Sequence, residues 1–331
     1  MNKLESSTGK VTIKYKKFKK IGQGSFGTIY LANDQTTNSK VALKKIRKKP
    51  AKYTSISYGR EIQHLSSLDH KNVIKLIEVI YGENFIYLVL ELCEYDLARL
   101  SNKTNFSIDK IKFVIHNVLE GLSYLHSNLI IHRDLKPSNL LISKFGYLKI
   151  ADFGLAKKVD NEAPNSPTVV TLWYRAPELL FGSDEQTTAI DCWSTACVFA
   201  ELLVGNPVFP GESEIEQIDL IIKLLGTPGH SAWPGLKDLK FFSMFSLKQQ
   251  SDSKLKDFFP QLSETGLGLI SSLFVYDPLK RASANSSLKS SYFMESPKMC
   301  DLQSWINFID STCQNDNFDL DQELSSEDEF D

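Results

Sequence analysis

The stretch that decides the fold is Ile-His-Arg-Asp-Leu-Lys-Pro-Ser-Asn, residues 131–139. It places Asp134 and Asn139 five residues apart, with Lys136 between them. In a phosphoryl-transfer site, an aspartate orients the attacking hydroxyl and accepts its proton, an asparagine binds Mg²⁺, and a lysine screens charge on the γ-phosphate. Because this order of residue types is improbable by chance, the segment predicts phosphoryl transfer.

A second motif, Asp152-Phe153-Gly154, follows the strand-like residues 148–150. Such a tripeptide alone is most often an ordinary turn. In a chain that also contains residues 131–139, however, the Asp152 carboxylate is predicted to supply a metal ligand beside Asn139. Mg²⁺ suits this pair because that ion takes hard oxygen ligands.

Toward the N-terminus, residues 22–29 form a glycine-rich segment between two strand patterns. Glycines let backbone N–H groups approach phosphate oxygens without a Cβ in the way. Alone, this segment also fits an ordinary hairpin turn or a dinucleotide-binding fold. The dinucleotide-binding fold needs a helix directly after the loop, whereas residues 28–32 continue as a strand, which excludes it.

Lys44 follows Val-Ala-Leu one strand later, where an ammonium group could reach phosphate oxygens. A lysine at a strand end is usually only solvated. Glu61 lies on the helix that is predicted next, and its carboxylate could hold Lys44 in an ion pair. The sequence therefore predicts a Lys44–Glu61 contact.

Length and composition restrict the class of protein. The 331 residues can bury a sizeable core and suffice for two lobes or two small domains. A hydrophobic fraction of 42% and a charged fraction of 24% are typical of globular chains. The net charge of −2 argues against nucleic acid as a direct partner, since that binding needs a cationic excess.

Cysteine usage and the N-terminus bear on location. The five cysteines have no metal-ligand spacing, so reduced thiols are expected. The first ten residues are polar, and no run of about 18 apolar residues follows. We therefore expect the nucleus and/or the cytoplasm, and no membrane partner.

The apolar pattern changes along the chain. Up to Leu90 it predicts strands, including 73–79 and 85–90, and one helix over 61–68. After Glu91 longer helical patterns begin, such as 111–126 and 188–204, which predicts a lobe boundary. The last 14 residues, 318–331, are rich in Asp and Glu, so a disordered tail is expected.

These motifs, together with Ala176-Pro177-Glu178, stand in the order and approximate spacing of the protein kinase family, which the chain resembles from about residue 15 to 293. The resemblance implies an α+β, bilobal protein kinase fold with a small β-rich N-lobe and a larger helical C-lobe. The expected division is an N-terminal extension (1–14), the N-lobe (15–92), the C-lobe (93–295) and a C-terminal extension (296–331). It further implies an ATP-dependent serine/threonine protein kinase that uses Mg²⁺.

The resemblance also assigns residues to the nucleotide. Glu91 and Cys93 look like the segment that meets adenine, and Asp96 resembles the ribose contact. The full set implied to bind ATP is Ile21, Gly22, Gly24, Gly27, Ile29, Ala42, Lys44, Glu61, Glu91, Cys93, Asp96 and Leu141. Outside the cleft, Arg281 resembles the ion-pair partner of Glu178.

Residues 169–178 are similar to the activation segment of the cyclin-dependent kinases, and the Thr-x-Tyr pair of the mitogen-activated kinases is lacking upstream. Residues 211–218 and 224–228 point to the same group. Residues 93–98, 274–278 and 291–293 resemble most the subfamily of cyclin-dependent kinases 10 and 11. This likeness implies a cyclin partner, a role in cell-cycle or transcription control, and protein substrates with Ser/Thr-Pro sites, read by Val169, Val170 and Arg175.

Regulation is likewise implied by the resemblance. Thr171 resembles the threonine that bridges Asp134 and Lys136. Ser166 occupies the place of an activating phospho-residue, and the cations expected to receive its phosphate are Arg60, Arg133 and Lys157. Alternatively, Ser166 is only a serine of a mobile loop.

Three residues depart from the family pattern. Lys157 stands where an arginine is usual, so bidentate phosphate binding is lost there. Phe26 replaces a tyrosine that carries inhibitory phosphate in many relatives, which leaves Ser25 as the candidate in that loop. Gly59 replaces a large apolar residue in the cyclin-binding helix signature, residues 54–61. Either a cyclin docks there with altered chemistry, or the helix is ordered in another way.

Two other classes of function compete. A catalytically weak kinase-fold protein, acting as a regulator or scaffold, should lack one of Lys44, Asp134, Asn139 and Asp152, and all four are present. An ATPase or small-molecule phosphotransferase should lack a peptide-reading segment such as residues 173–178.

Overall fold

A computed structural model describes residues 14–24, 27–48, 57–159, 171–247, 249–250 and 253–313. Within these residues the N-terminal lobe is a five-stranded antiparallel sheet in the order β1-β2-β3-β5-β4. Its strands are β1 (Tyr15–Gly24), β2 (Gly27–Asp34), β3 (Ser39–Arg47), β4 (Leu76–Tyr81) and β5 (Phe85–Glu91). Helix α1 (Ser57–Ser66) lies between β3 and β4 in the chain.

Successive side chains of β3 point to opposite faces of the sheet, and this alternation determines which of them face α1. Val41 and Leu43 pack on one face of the sheet with Tyr30 and Tyr87. Lys44 and Ile46 point to the opposite face, where Ile46 joins a cluster that Ile62 of α1 packs against. Lys44 therefore faces α1 rather than solvent.

The second lobe is mainly helical, and its largest helices are α3 and α5. In chain order its helices are α2 (Leu97–Ser101), α3 (Ile108–Ser127), α4 (Pro177–Leu180), α5 (Ala189–Val204), α6 (Glu214–Leu225), α7 (Leu255–Phe258), α8 (Glu264–Leu273), α9 (Ala284–Ser287) and α10 (Leu302–Cys313). Helix α5 is buried along nearly its whole length and ends at Gly205, whose φ of 80° suits glycine. The two-lobed α+β architecture is as predicted.

Short strands line the side of this lobe that faces the sheet. They are β6 (Tyr95–Asp96), β7 (Ile130–Ile131), β8 (Leu140–Ile142), β9 (Leu148–Ile150) and β10 (Lys157–Lys158). Strand β8 pairs with β6 and β9, and β7 pairs with β10. Residues 132–139 therefore run from β7 into β8, and Asp152-Phe153-Gly154 follows β9, which pairs with β8.

The strand predicted over 73–79 begins at Leu76 instead. Val73 forms a bridge with Ile150, and the N–H of Ile74 donates to the carbonyl oxygen of Ile150 at 2.9 Å. These first residues are taken up by the C-lobe, so they connect the two lobes rather than extend the sheet.

Helix α10 was not predicted from the sequence. Its Trp305 is fully buried and stacks on Phe113 with 5.1 Å between ring centroids. The helix thus belongs to the C-lobe core, whereas residues 318–331, where a disordered tail was expected, lie outside the described residues. In the part of the chain that is described, no helix is long and apolar enough to span a membrane.

Candidate active site

Lys44 binds one carboxylate of its own lobe and one carboxylate of the other lobe. Its Nζ lies 2.7 Å from Oε1 of Glu61 on α1 and 2.9 Å from Oδ1 of Asp152. Burial alone would lower the pKa of Lys44, but the two carboxylates together raise it. Burial would raise the pKa of Asp152, but Lys44 holds it below its usual value. The structure brings the predicted Lys44–Glu61 pair together.

Asp134 stands at the centre of a set of hydrogen bonds. Its Oδ2 accepts from Lys136 Nζ at 2.8 Å and from Asn139 Nδ2 at 3.0 Å. Its Oδ1 accepts from Thr171 Oγ1 at 3.0 Å, and Lys136 also donates to Thr171 at 2.9 Å. The carboxylate is thereby fixed in one orientation before any ligand is present.

The two predicted metal ligands present oxygen atoms to the cleft. Asn139 donates through Nδ2 to the side chain and to the carbonyl oxygen of Asp134, so its Oδ1 points away from that residue. Asp152 has a left-handed φ of 64°, a conformation that costs a non-glycine residue roughly 1–3 kcal/mol. Its side chain remains 34% exposed. One carboxylate and one amide oxygen fit Mg²⁺, which usually takes few protein ligands and completes its shell with phosphate and water.

The residues predicted to bind ATP surround one cavity of about 740 Å³ between the lobes. Asp134, Lys136, Asn139, Asp152 and Thr171 line the same cavity. From the predicted nucleotide set, the lining includes Ile21, Gly22, Gly27, Ile29, Ala42, Lys44, Glu61, Glu91, Cys93, Asp96 and Leu141. Gly24 lies at the end of β1, paired with Gly27, and Ser25 lies outside the described residues.

Two glycines of the glycine-rich segment are needed for different reasons. A Cβ at Gly27 would collide with the carbonyl oxygen of Lys45, so packing of β2 on β3 requires a glycine there. Among the described residues, a Cβ at Gly22 would meet only the side chain of Ile29, at an ordinary 3.7 Å. Packing therefore leaves room for a side chain at Gly22, and only a ligand close to the backbone would demand glycine.

Sequence reasoning missed Asp191, which holds the catalytic loop from α5. It is fully buried and accepts from the backbone N–H groups of His132 and Arg133, each at 2.9 Å. Its Oδ2 also lies 2.9 Å from Nε2 of His126. Burial would raise the pKa of Asp191, but His126 and these donors lower it. A lone carboxylate in the otherwise apolar first turns of a helix was the available signal.

The three predicted phosphate receivers converge. Burial and then the charge of Arg60 lower the pKa of Arg133 to about 10. Burial, Arg133 and Arg60 likewise lower the pKa of Lys157. Arg133 donates to Gln186 Oε1 and to the carbonyl oxygen of Leu155, each at 2.7 Å. Mutual repulsion in this cluster, which an anion would relieve, fits the prediction; Ser166 itself lies outside the described residues.

The segment after Thr171 is anchored to the C-lobe. Arg281 holds Glu178 with two parallel hydrogen bonds of 2.7 and 2.8 Å, as the resemblance implied. Arg175 lies 2.6 Å from Glu214 at the start of α6, and Trp173 Nε1 donates to the carbonyl oxygen of Gly211. Val169 and Val170 lie outside the described residues.

Comparison with known proteins identifies the family. Residues 15–293 match the protein kinase domain family. The chain is 50% identical over 293 residues to cyclin-dependent kinase 10 from Homo sapiens, covering 87% of this chain and 81% of that protein. The chain belongs to the cyclin-dependent kinase family. It is thus a serine/threonine protein kinase, and the predicted likeness to kinases 10 and 11 is confirmed.

Other members of this cyclin-dependent kinase family are similar over the same region. Cyclin-dependent kinase 10 from Bos taurus is 50% identical over 293 residues, covering 87% of this chain and 81% of the relative. Cyclin-dependent kinase 11 from Dictyostelium discoideum is 41% identical over 290 residues, covering 86% and 81%. A chain in the solved CAK complex from Chaetomium thermophilum, bound to ATP-gamma-S, has 34% identity and a TM-score of 0.81, covering 89% of this chain and 96% of that one.

Proposed function

We propose that this kinase transfers the γ-phosphate of ATP to a serine or threonine that is followed by proline in a protein substrate. The observation that carries the proposal is the closed set of hydrogen bonds around Asp134. A carboxylate already held by Lys136, Asn139 and Thr171 needs little reorganisation when a hydroxyl arrives, which is how positioning lowers a barrier.

In the reaction, Asp134 orients the substrate hydroxyl and accepts its proton as the new oxygen–phosphorus bond forms and the bond to the leaving ADP breaks. Lys136 bridges Asp134 and Thr171, so its ammonium group can also screen charge on the transferred phosphoryl group. Asp191 keeps the loop backbone in place without touching the reacting atoms.

ATP is proposed to fill the cleft. Lys44, held by Glu61, is placed to contact phosphate oxygens, and Gly22 is placed to let a phosphate approach the backbone. Ala42 and Leu141 would enclose the adenine. The ATP-gamma-S bound in the solved CAK complex supports this assignment.

Asn139 and Asp152 are proposed to hold Mg²⁺ through Oδ1 and the carboxylate, respectively. Held by these two side chains, Mg²⁺ would supply positive charge that offsets the negative charge of the phosphates. Lys44 limits the freedom of Asp152 by binding its Oδ1. The ionised state of Asp152, which its lowered pKa favours, suits a cation ligand.

A cyclin is proposed as partner, with a role in cell-cycle or transcription control in the nucleus and/or cytoplasm. The names of the relatives and the cyclin-binding signature around Gly59 support this partner. The converging cations Arg60, Arg133 and Lys157 support phosphate on Ser166 as a second requirement.

The test is affinity capture of the intact chain from its own cells, with identification of any cyclin, followed by a peptide assay. Matched peptides that differ only in Ser-Pro or Ser-Ala are compared with the captured complex. We expect transfer to Ser-Pro to exceed transfer to Ser-Ala by at least tenfold in kcat/KM. Equal kcat/KM for the two peptides would contradict the proposed preference for proline. Full activity without a cyclin would contradict the proposed partner. No transfer to either peptide would favour a kinase-fold scaffold.

A further inference from the structure

The turn between β8 and β9 exposes two aromatic side chains on the C-lobe. Phe145 is 60% exposed and Tyr147 is 42% exposed. Gly146 between them is buried and has a left-handed φ of 79°. Neighbouring exposed aromatic side chains, unlike scattered single ones, indicate a surface that binds another segment of chain.

The turn lies directly on the first half of α10. A Cβ at Gly146 would be 2.7 Å from Cγ1 of Ile306 and 3.0 Å from Cδ1 of Leu302, so only a glycine fits between the turn and the helix. Both of these α10 side chains are only partly buried. Phe145 and Tyr147 adjoin this contact, and the four side chains together form one apolar surface, here called the turn–helix surface.

The turn–helix surface has a positive charge beside it. Lys144 is exposed, and its Nζ lies 4.9 Å from the centre of the Phe145 ring. Glu94, which interacts with Lys144, offsets part of this charge. An apolar surface with an exposed ammonium group at its edge favours a segment that combines apolar and acidic side chains.

A segment of this kind follows α10 in the chain. Residues 318–324 read Phe-Asp-Leu-Asp-Gln-Glu-Leu, and residues 314–331 contain eight acidic residues and no Lys or Arg. In an extended chain, alternate side chains point to opposite sides. Phe318, Leu320 and Leu324 would then share one side of the segment, and its three acidic residues would share the other.

The length of the connection permits the contact within one molecule. Leu302 begins α10 and Cys313 ends it, and a rise of 1.5 Å per residue separates them by roughly 16 Å. Residues 314–318 span about 16 Å when extended, and residues 314–324 span about 36 Å. The segment can therefore return from the end of α10 to the turn–helix surface.

We propose that residues 318–324 bind the turn–helix surface of the same molecule, with their apolar side against the two aromatic rings and their carboxylates near Lys144. Few apolar residues and many charges disfavour folding of this segment alone, but the C-lobe supplies the apolar contact that it lacks. Charge favours it over residues 1–13, which carry two lysines and one glutamate. The inference goes beyond the proposed function, because it requires neither ATP nor a substrate.

The rate at which chymotrypsin removes the C-terminal end of the intact chain tests this contact. Chymotrypsin cuts after aromatic residues and leucine, and it can cut after Phe318 or Leu320 only while the segment is released. The double variant Phe145→Ser and Tyr147→Ser should raise the cutting rate about fivefold, because both aromatic contacts are lost. Lys144→Glu should raise it about twofold at low salt, because an attraction becomes a repulsion.

Matched controls and a second measurement accompany these variants. Leu279→Ser removes an apolar side chain that is 88% exposed outside this surface, and it should leave the cutting rate unchanged. The double variant Phe318→Ser and Leu320→Ser, which changes no residue of the two lobes, should speed deuterium uptake at residues 143–147 about fivefold. Phe330→Ser, outside the proposed segment, should not change this uptake.

Three results would overturn the proposal. One is an unchanged cutting rate in a folded Phe145→Ser and Tyr147→Ser variant. Another is unchanged deuterium uptake at residues 143–147 in the Phe318→Ser and Leu320→Ser variant, which decides the question even if the turn variant does not fold. The third is protection that weakens on tenfold dilution, because the segment would then bind a second copy of the chain.

Discussion

The catalytic loop and helix α1 meet at the same cleft, but their polar groups are satisfied to different degrees. Around Asp134 both carboxylate oxygens accept hydrogen bonds, and Asp191 holds the loop backbone. On α1, both ring nitrogens of His64 are buried, and neither has a hydrogen bond of good geometry among the described residues, although the backbone of Ala156 interacts weakly with the ring. Among the residues that the structure describes, none beyond its own helix has an atom within 4 Å of where a Cβ of Gly59 would be.

The catalytic loop and α1 therefore differ in how firmly the described residues hold them. The loop is held by contacts that the chain itself supplies. Helix α1 is tied to the site by the Lys44–Glu61 pair, while Arg60 adds to the charge repulsion around Arg133. Under the proposed function, the position of α1 is therefore the part of the site that the proposed cyclin and phosphate would set.

The largest expected effect concerns the catalytic loop, where the polar groups have their hydrogen-bond partners. Asp191→Ala would leave the backbone N–H groups of His132 and Arg133 buried without their acceptor. We expect the free energy of unfolding to fall by about 3 kcal/mol, measured by urea denaturation, together with a lower kcat. Asp191→Asn, which keeps one acceptor oxygen, should lose less. A fall in both variants of less than about 0.5 kcal/mol would show that the loop needs no such support.

The next effect concerns His64, whose pKa is lowered by burial and then by Lys158 and Arg60. The folded state thus favours the neutral ring. As pH falls below the ordinary value of 6.5, the unfolded chain takes up a proton that the folded chain resists, so stability is lost. His64→Leu should be more stable by about 1 kcal/mol at neutral pH, because no unpaired polar ring is buried, and the gain should grow toward pH 5.

Thermal unfolding between pH 5 and pH 8 measures this gain. His230→Leu, at an exposed histidine, serves as the control and should follow the wild-type pH dependence. If His64→Leu and wild type lose stability in parallel as pH falls, His64 takes up its proton in the folded state without penalty, and the contrast between α1 and the loop is weaker than stated.

The smallest effect concerns Gly59. Because space is open there, Gly59→Ala should stabilise α1 by about 0.5–1 kcal/mol through its helix propensity. Gly121→Ala, in the middle of α3, is the matched control and should destabilise, since its Cβ would lie 2.7 Å from Cδ1 of Ile150 and 3.0 Å from the carbonyl oxygen of Asn72. A loss of stability in Gly59→Ala, measured by urea denaturation, would contradict an open face at α1.

The sequence predicted the catalytic loop well because its chemistry is local. Asp134, Lys136 and Asn139 lie within six residues, and the turn Pro137–Asn139 brings them together. Lys44 and Glu61 could also be paired in advance, since strand alternation and helix placement bring them to one face. The lobe boundary followed from the change of apolar period after Glu91.

Other parts of the site could not be read in this way. Asp191 and Gln186 contact the catalytic loop from more than 50 residues away in the chain, and only the tertiary packing of α5 on α3 brings them there. The start of β4 was wrong because Val73 and Ile74 pair with Ile150 of the other lobe, which competes with the sheet. The packing of helix α10 depends on the contacts of Trp305 with Phe106 and Phe113, and no local sequence pattern predicts these contacts.

The proposal that Asp134 accepts the proton in phosphoryl transfer is tested most directly by the kcat of Asp134→Asn on a Ser-Pro peptide. The variant is captured with the same partner as the wild type and compared with it at saturating ATP, with its fold checked by thermal unfolding. We expect kcat to fall by at least about a hundredfold while the fold and the partner are retained. A folded Asp134→Asn complex that keeps kcat within a few-fold of the wild type would contradict it.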